Sequence, residues 1–474
     1  MLFFCSAFAA QAQVSQFQHI IIVFQENRTP DNLFYALCAN YPCSTTPNNV
    51  QYNIQTANWL DSTSPSGMTQ PVGIPLAYGY GIGHDHRAWV KQCDLNTAVN
   101  PPQCRMDGAY YTAVKPLRGA FAYVLNIADA KHPNGIITPY LTLATQYGWA
   151  NYMFQTNQGP SYPAHQYIFG GTSALSAADD AAGTFLSGNI NGPSGCFAQD
   201  GESAKMIDAN GQQTDVQINY ALGITHCLTR STMGDLLDGA NIGWKYYGTS
   251  ANGWVTAPNT SRTICQPDAS HLNCTGSKWA SSVDLTPAHI LRDLGTKGGP
   301  CQLRAVSWVI PTGSNSDHAH GSGGPDWVGS IVNALGNSPC KNPDGTSYWS
   351  TTAVVVTWDD WGGFYDHVPP SLLPFPEGAY QLGFRVPLLF ISAYTPAGYI
   401  DNLNHDFGSV LRFIENNFAL GEGALGFADS RATTNLSTFY NFSNSPRPFV
   451  KLPTAKTALD FLNDKTPPTD PDDY

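Results

Sequence analysis

The sequence predicts an α/β fold in which a mostly parallel central sheet is flanked by helices. Six short apolar runs rich in β-branched residues recur along the chain, and helix-like patterns fall between several of them. Composition agrees. Of 474 residues only 12% are charged, while Gly (44) and Pro (34) are abundant, which suits ordered loops on a compact scaffold rather than coiled coil. Residues 19–24 (HIIIVF) form the first strand. A helix over 138–147 leads into a strand over 149–154, and a helix over 161–170 follows. The pair 232–239 and 243–247 repeats the alternation. A strand at 305–310 precedes a helix at 325–335, and strands at 353–358 (AVVVTW) and 386–391 precede a last helix at 407–418. In such sheets ligands gather at the carboxyl ends of the strands.

Between about residues 174 and 300 Gly, Ser, Asn and Cys dominate and periodicity is weak, so a loop-rich insertion over the sheet is expected. Residues 463–474 (NDKTPPTDPDDY) read as an acidic, proline-rich, mobile tail. A single domain over 13–462 accounts for the rest. Residues 2–10 are apolar and end in small side chains, and Ala10-Gln11-Ala12 fits a cleavage site. Residues 1–12 therefore read as the remnant of a secretory signal, a buried first strand being the alternative. No later apolar stretch reaches the ~18–20 residues that span a bilayer.

Eleven cysteines also point to a secreted or periplasmic protein. Removing Cys5 leaves ten, with no CxxC and none beside His at zinc-finger spacing, so structural zinc is not expected. The close pairs Cys38/Cys43, Cys93/Cys104 and Cys265/Cys274 are expected to close loops as disulfides. Twenty-three basic against thirty-five acidic residues give −12, and no Lys/Arg run is present. A nucleic-acid partner needs a positive surface, so none is expected. Oligomeric state is not legible.

Five polar segments stand out. The first strand runs into Gln25-Glu26-Asn27-Arg28-Thr29-Pro30-Asp31, whose hard oxygen atoms suit a divalent cation. The plain alternative is a turn in which Asn27 or Thr29 caps a helix begun by Pro30. The strand at 353–358 closes on Asp359-Asp360, adjacent carboxylates that repel unless a cation lies near, with Gly362-Gly363 turning the backbone beneath. A solvated acidic turn is the alternative there. Gln158-Gly159-Pro160-Ser161 opens a helix. Ser161 either caps it or, beside a cation, attacks a phosphate held at the helix N-terminus. Gly83-His84-Asp85-His86 with Met106-Asp107-Gly108, and Ser316-Asp317-His318-Ala319-His320, complete the set. Histidines there can bind metal or pass protons to substrate oxygens. With the third segment running on to His165 and the second to His367, six of the twelve histidines (His84, His86, His165, His318, His320, His367) fall in these segments, which favours one shared site over scatter.

Together these residues resemble the phosphoesterase family of bacterial phospholipases C and secreted acid phosphatases, related in fold to alkaline phosphatases. The likeness is carried by Glu26-Asn27-Arg28-Thr29-Pro30-Asp31-Asn32-Leu33-Phe34, residues 84–89 with Met106-Asp107-Gly108, and Gly159-Pro160-Ser161. Ser307-Trp308-Val309-Ile310-Pro311 with Ser316-Asp317-His318 and, most specifically, Trp358-Asp359-Asp360-Trp361-Gly362-Gly363-Phe364-Tyr365-Asp366-His367 extend it. Arg385-Val386-Pro387 and Asp406-Phe407-Gly408-Ser409 continue it, so it spans about residues 19–418 in order.

The resemblance implies an alkaline-phosphatase-like architecture and a metal held by Glu26, Asn27, Asp359 and Asp360. It implies Ser161 as nucleophile and further ligand, and His84 or His86 together with His318 on the phosphoryl oxygens. Asp107, His165, Asp317 and His367 are expected to contact substrate. All-oxygen ligation favours calcium, magnesium or manganese, while a histidine ligand would admit zinc or iron. Two departures stand out: Ala164 where the family usually has Asn, and Thr-Pro-Asp-Asn-Leu-Phe in place of the lipase branch's Ser-Phe-Asp-His-Tyr-Phe. The second weakens the case for phosphatidylcholine. The expected activity is hydrolysis of a phosphate ester through a phosphoserine, acid-phosphatase-like, with His318, His84 or His86 serving the leaving alkoxide or the equatorial oxygens. Phospholipase C action on a lipid headgroup is the alternative. At −12 the chain is not drawn to anionic lipid, so zwitterionic lipid or soluble esters and at most transient membrane contact are expected. A non-catalytic secreted binding protein is the alternative of another class, and the joint presence of both carboxylate clusters and Ser161 argues against it.

Overall fold

The computed structural model describes residues 16–79, 82–112, 119–372 and 382–471. The signal-like residues 1–12 lie outside them. The central sheet has eight strands: β1 (His19–Gln25), β2 (Gly148–Phe154), β3 (Trp244–Tyr247), β4 (Val283–Asp284), β5 (Val306–Val309), β6 (Thr352–Trp358), β7 (Leu388–Ser392) and β8 (Tyr399–Asp406). Their order across the sheet is β4-β3-β5-β1-β6-β7-β2-β8. Every pairing is parallel except those of β7, which runs against both neighbours. The sheet is thus mixed and mostly parallel, as expected. Strands β1 and β6 are buried at every residue, which is why each reads as a continuous apolar run rather than an alternating one.

The helices fall where the periodicity places them: α2 (Thr138–Gln146), α3 (Ser161–Gly170), α4 (Met233–Gly239), α5 (Gly324–Gly336) and α6 (Phe407–Asn417), with α1 (His86–Cys93) unread. Helix α2 packs on α5, and α3 packs on α4 and α6. Helix α6 starts abruptly because Asp406 and Ser409 form a reciprocal capping box.

Residues 174–300 hold a small antiparallel sheet of Phe185–Leu186, Ser203–Ile207 and Gln213–Gln217. The same stretch also supplies α4, β3 and β4, so part of it completes one end of the central sheet. The tail read as mobile is anchored as far as it is described. The Thr469 carbonyl accepts from Gly313 N at 3.1 Å, and Asp470 is buried. All ten cysteines after Cys5 pair: Cys38–Cys43, Cys93–Cys104 and Cys265–Cys274 as expected, with Cys196–Cys227 and Cys301–Cys340 beside them. Among the described residues no helix is long and apolar enough to cross a membrane.

Candidate active site

Register builds the centre of the site. Gln25 of β1 lies opposite Trp358 of β6, so the next residues, Glu26 and Asp359, leave the sheet side by side. Asp359 N donates to the Gln25 carbonyl at 3.0 Å, and Asn27 N donates to Asp359 Oδ1 at 3.1 Å. Asn27 sits at φ +60°, a left-handed conformation that Asn tolerates better than most side chains. Gly362, at φ +63°, packs beneath it. A Cβ there would come within 2.5 Å of the Asn27 carbonyl oxygen, so only glycine fits. The capping role goes to Thr29, whose hydroxyl accepts from Asn32 N at 3.1 Å above the single turn Pro30–Leu33. Glu26 and Asn27 are left for other work.

Glu26, His165 and Asp359 are fully buried, with ligand-type atoms all within 4.8 Å of one another. His165 Nε2 lies 3.4 Å from Glu26 Oε1 and 3.9 Å from Asp359 Oδ2. Asn27 Oδ1, Asp359 Oδ2 and His165 Nδ1 have no hydrogen-bond partner among the described residues. Burying carboxylates together with unpaired acceptors is costly unless a cation satisfies them. Burial also brings the His165 pKa down to about 4, against a smaller upward pull from Asp359. A neutral imidazole is the form that binds metal. The donor set fits a divalent cation.

Ser161 joins this group. Its Oγ donates to Asp360 Oδ2 at 3.3 Å, and Asp360 Oδ1 is held by Gly362 N at 2.6 Å. Ser161 is the first residue of α3, after the N-cap Pro160. The amides of that first turn offer an anion less than the sequence suggests: Tyr162 N donates to Asn189 Oδ1 at 3.1 Å, and Pro163 has no N–H. Buried Ala164 stands beside them.

His84 and His318 face the cluster, their ring centroids 6.5 Å apart. Burial lowers both pKa values, that of His318 to about 4, so each is neutral near pH 7. His84 Nδ1 lies 3.2 Å from the Ile82 carbonyl, and its Nε2 lies 3.5 Å from Asn27 Nδ2. The tautomer protonated on Nδ1 satisfies both contacts. It turns the Asn27 amide so that its nitrogen faces His84. In that arrangement His84 orients the Asn27 amide.

Other expected site residues lie elsewhere. His86 turns toward the Gln158 carbonyl at 3.3 Å and stacks on Trp89. Asp107 sits beside Asp94, where burial first and that neighbour second raise its pKa. Asp317 serves as scaffold. Its Oδ2 accepts from Tyr140 Oη at 2.8 Å and Trp358 Nε1 at 3.0 Å, while its carbonyl takes Arg28 Nε and Nη2 at 3.0 and 2.6 Å. His367 is held by Asp31 Oδ2 at 2.7 Å and Asn53 Oδ1 at 2.9 Å. Asp31, Asp366 and His367 are close enough to suggest a second metal group. The Arg385 guanidinium fills it instead, with Nε and Nη2 at 3.0 and 2.9 Å from the two Asp366 oxygens and Nη2 at 3.4 Å from Asp31. This is a buried ion-pair network. The His367 ring nitrogens and Asp317 Oδ2 are thus engaged by protein groups, while Asp317 Oδ1 is buried without a hydrogen-bond partner among the described residues. His165, expected at the shared site as a substrate contact, lies instead among the ligand-type atoms of Glu26 and Asp359, one helical turn from Ser161.

Over residues 17–421 the sequence matches the phosphoesterase family. The chain belongs to that family. Its relatives include the non-hemolytic phospholipase C of Pseudomonas aeruginosa, 25% identical over 261 residues that cover 48% of this chain and 36% of the relative. The hemolytic phospholipase C of the same organism is 21% identical over 91% of this chain and 57% of its own length. Phospholipase C B of Mycobacterium tuberculosis is 31% identical over 31% of each. The chain spans little more than half of these relatives' length at most. Among solved structures, a protein in the alkaline phosphatase superfamily from Vibrio parahaemolyticus aligns over 62% of this chain and 64% of its own, at 12% identity and a TM-score of 0.32. The family assignment rests on the sequence match. Each segment of this phosphoesterase that reaches the cluster, from Glu26 to Asp360, lies inside the matched range.

Proposed function

We propose that this phosphoesterase acts as a phospholipase C, cleaving a phospholipid headgroup through a phosphoserine on Ser161. The observation that carries the nucleophile is the Ser161 Oγ contact with Asp360, next to the buried Glu26–His165–Asp359 group. The relatives named phospholipase C favour a lipid diester over the phosphomonoester expected from the sequence. Glu26, Asn27, Asp359, Asp360 and His165 would hold a divalent cation, with Ser161 as a further ligand. When bound, such a cation neutralises the buried carboxylates and lowers the pKa of a serine hydroxyl.

Asp360 Oδ2 takes the Ser161 proton as Oγ bonds to phosphorus, the bond from phosphorus to the glycerol oxygen breaks, and the leaving alkoxide takes up that proton to depart as diacylglycerol. His318 donates a hydrogen bond to a phosphoryl oxygen, and His84 keeps Asn27 oriented. Water then cleaves the phosphoserine and frees the phosphorylated headgroup. The disulfides and the signal-like residues 1–12 support an exported enzyme. The test compares wild type and Ser161→Ala on phosphatidylcholine and on a chromogenic phosphomonoester. The wild type should turn over the lipid, and the variant should lose about a thousandfold or more. Near-normal turnover by Ser161→Ala would remove the nucleophile. Turnover of the monoester alone would restore the acid-phosphatase reading.

A further inference from the structure

A cavity of about 220 Å³ opens beside the segment that presents Ser161. One wall is α1, with Trp89 and Val90, and the facing wall is the small sheet, with Leu186 and Ile207. Asn157 and Gln158 line it as well. Gln158 stands three positions before Ser161, so one part of the cavity abuts the turn that carries the proposed nucleophile.

The lining is chemically one-sided. Among the described residues it contains no Lys or Arg, and its acidic member is Asp208, so a phosphate or an anionic headgroup is disfavoured there. Val90 and Leu95, both on the lining, stay 49% and 44% exposed. Such apolar surface gains free energy when an apolar group covers it. A fatty-acyl ester places an apolar chain a few bonds from phosphorus, and so within reach of this apolar wall when the phosphate is at Ser161. Mostly apolar walls with a few placed polar groups are the usual make-up of a small-molecule site.

We infer that this cavity binds one fatty-acyl chain of the ester substrate while the phosphate lies at Ser161. The inference deepens the phospholipase C proposal and rests on it. The small sheet within residues 174–300 then sets chain-length preference.

The experiment uses dihexanoyl and dibutyroyl phosphatidylcholine, each below its critical micelle concentration, with chain-free glycerophosphocholine as the reference within each protein. In the wild type kcat/KM should rise with chain length, by up to about fourfold per buried methylene. In the Val90→Asp, Leu95→Asp double variant, whose changes sit on exposed positions, that rise should vanish. A wild type indifferent to chain length, or a rise unchanged in the variant, would overturn the inference. Calorimetric binding of the same lipids needs no turnover and separates the two proposals. Chain-dependent binding lost in the variant, without hydrolysis of any lipid, keeps the cavity and sinks the phospholipase reading. Hydrolysis without chain dependence does the reverse.

Discussion

Glu26 and Asp359 emerge at adjacent strand ends because two parallel strands are in register, and both are fully buried. Two such carboxylates repel in the absence of a cation, so this pair makes stability depend on metal. With a chelator present, Asp359→Asn should melt above the wild type, because one buried charge is gone. With excess calcium, magnesium, manganese or zinc the order should reverse, the wild type gaining ~2.7 kcal/mol at a cation concentration a hundredfold above Kd. A wild-type melting temperature that ignores both chelator and cations would mean the cluster holds no metal. Elemental analysis of the two proteins checks the same point. The carboxylates and Ser161 were legible because strand ends and a helix start are marked in the sequence. The separate fates of His84, His86, Asp317 and His367 were not. Which polar atoms a neighbour has already taken depends on contacts such as Arg385 to Asp366 and Tyr140 to Asp317, far apart in the chain.

Buried apolar runs made β1 and β6 readable, whereas β8 was missed for a physical reason. It pairs with one neighbour, β2, with an irregularity between Asp401 and Asn404, and its sequence YIDNLNHD shows no apolar run. The antiparallel direction of β7 leaves no mark on composition at all. Helix α6 packs beside β8 and carries a fully buried Glu415, whose oxygens accept from Gly423 N at 2.7 Å and Leu425 N at 3.0 Å. Burial first, and Asp429 second, push its pKa from 4.5 to about 7. The folded state therefore binds more protons than the unfolded one between those values. Its contribution to stability is full below pH 4.5 and is lost as pH rises through 7. Glu415→Gln should remove that decline, so its urea midpoint relative to wild type should be higher at pH 8 than at pH 5. Buried His226, held near pKa 4 by burial, acts in the opposite sense as pH falls below 6.5. The variant-minus-wild-type difference thus isolates Glu415. A difference that is flat between pH 5 and 8 would mean the carboxylate is ionised throughout.

The whole chain is poor in charge and rich in glycine and proline, so long connections must be held by something other than surface ion pairs. The five disulfides are placed to do this. Cys301–Cys340 closes a separation of 39 residues that includes β5 and α5, while Cys38–Cys43 closes only five. If the bridges act mainly by limiting the unfolded chain, their contributions follow loop length, ~4 kcal/mol for the first and ~2 kcal/mol for the second. Cys196–Cys227, with a separation of 31, should resemble the first and pin the stretch from which the cavity wall is built. Three paired Cys→Ser variants, unfolded in guanidinium chloride, read this directly. The Cys301→Ser, Cys340→Ser protein should lose about 2 kcal/mol more than the Cys38→Ser, Cys43→Ser protein, with Cys196→Ser, Cys227→Ser close to the former. Equal losses, or a larger loss at Cys38–Cys43, would show that local packing rather than chain entropy sets their worth. The 174–300 stretch, held as it also is by β3 and β4 in the central sheet, would then stay folded over the cavity without its bridge.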